Sequence, residues 1–220
     1  MNHNIFRQQQ DEWDKKWSKI TKLLPETEYA KEIFQYLEDK RCRTFLDLGC
    51  GDGKDSVFFA RNGYNVTAVD FSSASLDLLK KRLKDFPIDN LTYRRKDIAS
   101  LDFENGFFDV IYANLSLHYF DDKTTSAIYE NLYNILKKDG YIFVRCKSTD
   151  DFLHRKGARL EQDVYVEGGK VRHFFSAKYL KKKLSKFDLL DVKTEKSEHI
   201  MMDKSVVISS FVKAIAKKSC

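Results

Sequence analysis

Apolar residues along the chain fall into two alternating rhythms. Short β-branched and aromatic runs occupy residues 44–48, 65–69, 91–95, 108–113, 141–146, 189–193 and 206–214. Between them the apolar positions space out to a period near 3.6, over residues 56–61, 75–83 and 125–136. In the last of these, Ile128, Leu132, Ile135 and Leu136 share one face, the pattern of an amphipathic helix. Asp121 or Asp122 suits its start, and Gly140 suits a left-handed stop. Strands alternating with crossover helices predict an α/β fold: a parallel sheet covered on both faces. The end of the chain breaks the rhythm. After a helical stretch at 177–186, two strand-like runs are joined only by "TEKSEHIMMDKS". A link that short suits an antiparallel pair, since a parallel one needs a long crossover. Ahead of the first strand, residues 8–22 and 26–37 are amphipathic. They are expected to form a cap over the sheet and a first flanking helix.

Composition narrows the class. The chain has 220 residues, 42% hydrophobic and 33% charged, which suits one globular domain with a full-sized core. No apolar run approaches the roughly 20 residues of a membrane span, and the N-terminus lacks the apolar centre of a signal peptide. A cytoplasmic protein is expected. Its four cysteines form no CxxC pair and its five histidines are scattered, so free thiols and no metal are expected. The net charge of +6 is concentrated in "KYLKKKLSKF", where lysines flank an apolar stripe as on a solvated helix face. The excess is too mild to argue for a nucleic-acid partner.

Chemistry enters at "FLDLGCGDGKDSVFFA", residues 45–60. Glycines after a first strand let ligand approach backbone, and the following helix offers free N–H groups to an anion. A dinucleotide fingerprint reads G-x-G-x-x-G. Here Gly53 comes one residue early, and Asp47 stands two residues before Gly49. A carboxylate there sits poorly beside a pyrophosphate but well beside an ammonium. S-adenosylmethionine carries an ammonium, a carboxylate and a sulfonium, and wants that mixture of contacts. Asp70, about 20 residues on, can accept both ribose hydroxyls, a feature that NAD-binding proteins share. Asp97 can accept the adenine amino group while Ile98 and Phe71 cover the ring.

The successive stretches DLGCGDG, VTAVD, KDI and FDVIYANLSLHYF, within residues 43–147, resemble the motifs of the class I S-adenosylmethionine-dependent methyltransferases. The resemblance implies a Rossmann-like, doubly wound seven-stranded sheet of order 3-2-1-4-5-7-6, with strand 7 antiparallel. It implies one domain over residues 1–220: cap helices in 1–40, a cofactor-binding half in 43–147, and a substrate-side loop, last helix and terminal hairpin in 148–220. Carried onto this chain, it makes Asp47, Gly49 and Gly51 contacts of the methionine end and assigns Asp70 to ribose. Asp97 and Ile98 go to adenine, and Asn114 or Leu115 to the floor below the sulfonium. Gly53 and Asp52 have a structural alternative, admitting and capping the next helix.

The acceptor is less legible. The position after the fourth strand reads Asn114-Leu115-Ser116-Leu117, not the Asn/Asp-Pro-Pro-aromatic run of amino-group methylases of DNA. There is no Pro-Cys nucleophile of the cytosine type either. A small-molecule acceptor is expected. "EWDKKW" sets Trp13 and Trp17 on one helical face, similar to the lid of thiopurine-type methyltransferases. "EGGKVRHFFSAKYLKKKLSKFDLLDV" is similar to the C-terminal region of tellurite-resistance-type enzymes. By that analogy Arg172 and His173 face the acceptor. Arg145, Lys147 and Arg155 add a cationic edge suited to a soft chalcogen (S, Se or Te) or anionic nucleophile. His118 is the candidate general base or steering group. The rivals are a non-catalytic S-adenosylmethionine-binding protein, an NAD-dependent Rossmann oxidoreductase, and an aminopropyl transferase, which the basic edge disfavours.

Overall fold

A computed structural model describes residues 3–85, 87–200 and 204–219. Cys220, one of the expected free thiols, lies outside them, as do residues 201–203 of the expected hairpin link. Helix α1 (His3–Ser18) comes first, then α2 (Glu28–Leu37), which starts where Thr27 accepts a hydrogen bond from Ala30 N. Then β1 (Thr44–Leu48), α3 (Lys54–Arg61), β2 (Asn65–Asp70), α4 (Ser73–Asp85), β3 (Leu91–Arg95) and a 3-10 turn (Ile98–Ser100) alternate. The alternation continues with β4 (Phe108–Asn114), α5 (Asp122–Ile135) and β5 (Leu136–Lys147).

These five strands lie parallel, and the full sheet runs β3-β2-β1-β4-β5-β10-β9. The last two, β9 (Asp188–Ile200) and β10 (Val206–Lys217), form the expected hairpin, with β10 antiparallel to both neighbours. Both strands run further than their apolar cores, since pairing extends from Val206 opposite Ile200 to Lys217 opposite Asp188. This is the order the resemblance implies. No described helix is long and apolar enough to cross a membrane.

Alternation along β1 explains how the sheet is buried. Phe45 points to one face, among Tyr29, Ile33, Phe59 and Tyr112. Leu46 and Leu48 point to the other, among Ile128, Leu132, Ile135 and Leu180. At the end of α5 the expected stop differs. Asp121 caps the start, but the helix ends at Ile135 and Leu136 is already extended and fully buried. The left-handed residue is Asp139 (φ 64°), not Gly140. Gly140 serves space instead: a Cβ there would stand 2.9 Å from Asp109 O.

The segment after β5 holds an antiparallel sheet of four-residue strands, β6 (Ala158–Glu161), β7 (Val164–Glu167) and β8 (Lys170–His173), followed by α6 (Ala177–Lys183). The small sheet supports α1. Gln9, 1% exposed, accepts from Val171 N (2.7 Å) and donates to Tyr119 O (3.1 Å). On its other side α1 is tied down by Asp14, which accepts from Ser72 Oγ (2.5 Å) and Ala74 N (3.2 Å). The amphipathic N-terminal segment is thereby a cap with polar anchors at two points.

Candidate functional site

Strand order reverses between β1 and β4, so the crevice at their carboxyl ends is where an open α/β sheet binds ligands. The loop after β1 turns there on three glycines with positive φ: Gly49 (69°), Gly51 (56°) and Gly53 (72°). Each is forced by room as well as by conformation. A Cβ would lie 2.5 Å from Ser116 Cβ at Gly49, 2.7 Å from Trp17 Cζ2 at Gly51, and 2.2 Å from Leu79 Cδ1 at Gly53. The first two face a cavity of about 290 Å³. Gly53 packs on α4, in keeping with its structural alternative.

The acids of this cavity are held by different means. Asp47, 3% exposed, accepts from Ser56 Oγ at 2.5 Å. Burial, reinforced by the neighbouring carboxylates, pushes its pKa up to about 8. Asp70 accepts from Gly51 N and Ser72 N, both at 2.9 Å, and these bonds oppose the upward push of burial. Asp55 is the most heavily bonded. It accepts from Thr27 N (2.7 Å), Thr27 Oγ1 (2.9 Å), Tyr112 OH (2.8 Å) and Asn114 Nδ2 (3.3 Å). Asp52 is ion-paired with buried Arg82.

Three polar atoms of cavity-lining side chains, Trp13 Nε1, Asn114 Oδ1 and Ser116 Oγ, are buried without a hydrogen-bond partner in the described structure. Buried polar groups are nearly always paired, so orphans gathered around one cavity mark a place where a polar ligand completes the bonding. Leu115 between them is held at φ 59°, a conformation that costs of order 1–3 kcal/mol and gathers at functional sites. Trp17 roofs Gly51, and Trp13 meets Tyr119 edge-on at 5.0 Å.

The structure thus brings Trp13, Trp17, Asp47, Gly49, Gly51, Asp70, Phe71, Ile98, Asn114 and Leu115 to one cavity. Asp97 is not in its lining. Its Oδ1 accepts from Ala99 N (2.9 Å) and caps the 3-10 turn. The two expected acceptor-side groups also stand back. His118 is 1% exposed, lies against Tyr119 at 4.2 Å, and is missing from the lining. Burial, then Lys147 and Arg172, drive its pKa well below the usual value, so it is a neutral core imidazole. Arg172 pairs with Glu167 (2.8 Å) outside the lining. His173 is buried with Nδ1 on Phe120 O (3.2 Å). Lys147 pairs with Asp151 at 2.6 Å, and Arg155 is exposed. Of the expected cationic edge only Arg145 lines the cavity, and Glu195 balances it at 2.8 Å.

Residues not expected from sequence complete the wall: Lys16, Thr27, Lys54, Asp55, Tyr112 and Ser116 among them. Thr27 carried a legible signal as a helix start. Tyr112 reads as core from its place in β4. Described Cys42, Cys50 and Cys146 are free and buried, and no metal-binding cluster occurs among the described residues.

The profile of a methyltransferase domain family matches residues 45–140, the span that carries the glycine loop and the cavity's floor. Over those residues the chain carries a methyltransferase domain, of the S-adenosylmethionine-dependent kind that its motifs resemble. This methyltransferase domain is 32% identical over 117 residues to the cypemycin N-terminal methyltransferase of a Streptomyces species, covering 52% of this chain and 46% of that one. The chain spans half or less of the length of the relatives with established names that head the comparison. In three dimensions it is similar to a SAM-dependent methyltransferase from Methanosarcina mazei (TM-score 0.66, 24% identity, 89% of this chain and 99% of that one). It is also similar to TehB from Haemophilus influenzae (TM-score 0.68, 17% identity, 96% and 67%). At those identities the likeness is one of fold. S-adenosylmethionine is the cofactor of this methyltransferase family, and the orphaned polar atoms and the acids of the crevice fit such a zwitterion.

Proposed function

We propose that this protein transfers a methyl group from S-adenosylmethionine to a small-molecule acceptor whose nucleophile is a soft chalcogen or an anion. When bound, the cofactor supplies a methyl group already activated by a sulfonium. In this reading Asp47 receives the α-ammonium, and Gly49 and Gly51 let backbone approach the methionine end. Asp70 receives the ribose hydroxyls, with Phe71 and Ile98 against the adenine. Asn114 and Leu115 line the floor, and Trp13 and Trp17 exclude water. Asp97 is left to the adenine edge only if the base reaches beyond the lining.

One observation carries the acceptor class: among the described carboxylates and histidines at the cavity, none is left as a general base once Asp47 is given to the ammonium. Asp55 already accepts four hydrogen bonds, Asp52 is ion-paired, Asp70 holds two backbone N–H groups, and both nearby histidines are buried away. A base is required only when the acceptor must first lose a proton. Alignment and exclusion of water suffice for a nucleophile that already carries its lone pair free. A thiolate, selenite, tellurite or carboxylate meets that condition.

Calorimetry with S-adenosylhomocysteine and with NAD tests the cofactor, and tight NAD binding alone refutes it. Incubation with labelled methyl donor and separate pools of thiols, selenite, tellurite, carboxylates, phenols and amines tests the acceptor. Label is expected in the soft or anionic pools. Label confined to amines or neutral phenols overturns the acceptor assignment while leaving the cofactor site intact.

A further inference from the structure

The cavity carries charge of both signs. Its carboxylates are Asp47 on β1, Asp52 in the glycine loop, Asp55 on α3 and Asp70 at the end of β2. Two lysines of the lining, Lys16 on α1 and Lys54 in the first turn of α3, have no salt bridge to any described carboxylate. Lys16 Nζ sits between the two indoles, 4.2 Å from the Trp13 ring centre and 5.4 Å from that of Trp17. Trp13 also brings its buried, partnerless Nε1–H to the same wall. Burial, then Lys170, Arg172 and Lys54, lower the Lys16 pKa, although the residue as a whole is exposed. Lys170 and Arg172 have acidic partners in Glu12 and Glu167. No described carboxylate is ion-paired with Lys16 or Lys54, and Lys54 is close enough to act on Lys16 as a like charge.

We propose that Lys16 and Lys54, with the indole N–H of Trp13, form an anion subsite at the lid that takes a carboxylate. The proposal rests on the methyltransferase reading, which supplies two sources of that group: the amino-acid end of the cofactor, or the acceptor. Two ammonium groups and an N–H donor match the lone pairs of one carboxylate, and charge-assisted bonds of this kind are about twice as strong as neutral ones. Cation–π contact with two rings holds Lys16 in place before the anion arrives.

The chain's two tryptophans both flank Lys16, so lid fluorescence reports occupancy directly. Wild type, Lys16→Gln and Lys54→Gln are titrated with S-adenosylhomocysteine and with 5′-methylthioadenosine, which lacks the amino-acid end. Protein saturated with S-adenosylhomocysteine is then titrated with acetate, malonate and phosphate. If the cofactor supplies the carboxylate, both variants lose at least ten-fold in affinity for S-adenosylhomocysteine and keep that for 5′-methylthioadenosine. If the acceptor supplies it, cofactor affinity holds, and the saturated wild type shows an anion-dependent fluorescence change that both variants lose. The proposal is overturned if neither lysine alters either titration, or if both nucleosides weaken equally. Wild type that binds neither nucleoside overturns the cofactor reading itself.

Discussion

Binding of S-adenosylhomocysteine is expected to expel a proton from Asp47. The free protein holds this carboxyl 3% exposed with a pKa of about 8, so about nine-tenths of it is protonated at pH 7. An ammonium brought to about 4 Å, at an effective dielectric constant near 20, favours the ionised form by about 4 kcal/mol. At about 1.36 kcal/mol for each pK unit, that lowers the pKa by about three units, to near 5. The complex is then ionised at neutral pH, and about 0.9 proton leaves per ligand at pH 7, about half a proton at pH 8, and almost none at pH 9.

Two measurements read this. Titration calorimetry at pH 7 in phosphate and in Tris, which differ in ionisation enthalpy, gives the proton count from the slope. Affinity should also climb by nearly ten-fold per pH unit from pH 6 to 7 and flatten above pH 8. The ligand 5′-methylthioadenosine, which has no ammonium, should show neither effect. A buffer-independent enthalpy at pH 7, with S-adenosylhomocysteine bound and Asp47 present, refutes the pairing of Asp47 with the ammonium.

Asp47→Asn should bind S-adenosylhomocysteine at least ten-fold more weakly yet resist denaturant better. A carboxyl with a raised folded pKa contributes stability that is full below the unfolded value of 3.8 and is lost as pH rises through about 8. At pH 7 the loss is on the order of 4 kcal/mol, from about three pH units at about 1.36 kcal/mol each, and urea melts at pH 4 and 7.5 measure it. Gly51→Ala places a methyl 2.7 Å from Trp17 Cζ2 at φ 56°. It should cost roughly ten-fold or more in cofactor affinity, whereas Gly106→Ala, with open space around it, should leave calorimetric affinity unchanged. Gln9→Ala strands the buried Val171 N–H, at about 1–3 kcal/mol; amide exchange of α1 should quicken, and unchanged exchange refutes its clamping role. His118→Asn should leave the pH–rate profile in the same place, because the imidazole is neutral and outside the cavity. A lost limb near neutrality would restore it as a base.

What the sequence made legible follows from how directly backbone geometry dictates residue type. Gly49 and Gly51 could be read because positive φ and close approach admit little else. Asp47 and Asp70 could be read because acids inside or ending apolar strands stand out against burial. Strand–helix alternation predicted the parallel sheet and the short terminal link its antiparallel pair, while the strand order came with the family resemblance. The small sheet β6–β8 escaped because four-residue strands offer too few alternations to register a period. His118 was misplaced for a different reason. It follows β4, whose carboxyl end meets the crevice, but the chain turns at Leu115, held at φ 59°. Ser116, Tyr119 and Phe120 then reach the wall, while Leu117 and His118 turn into the core. The cationic edge was overread because its partners are close in the chain: Asp151 four residues from Lys147, and Glu167 five from Arg172. Charges counted singly there are charges already spent on each other.

The lid and the floor are one hydrogen-bonded unit. Asp14 on α1 accepts from the Ser72 hydroxyl; Ser72 N donates to Asp70 Oδ1; Gly51 N donates to Asp70 Oδ2. The acid proposed for the ribose therefore spends one bond on the glycine loop and one on the residue that anchors the lid. A ligand that engages Asp70 acts on a group already tied, through Ser72, to α1. Among the described residues, Gln9, Asp14 and the two tryptophans join α1 to the rest of the protein here. In the proposed reading, the lid and the ribose site share these polar bonds. That is why a segment ahead of the first strand, outside the span matched by the family profile, belongs to the site.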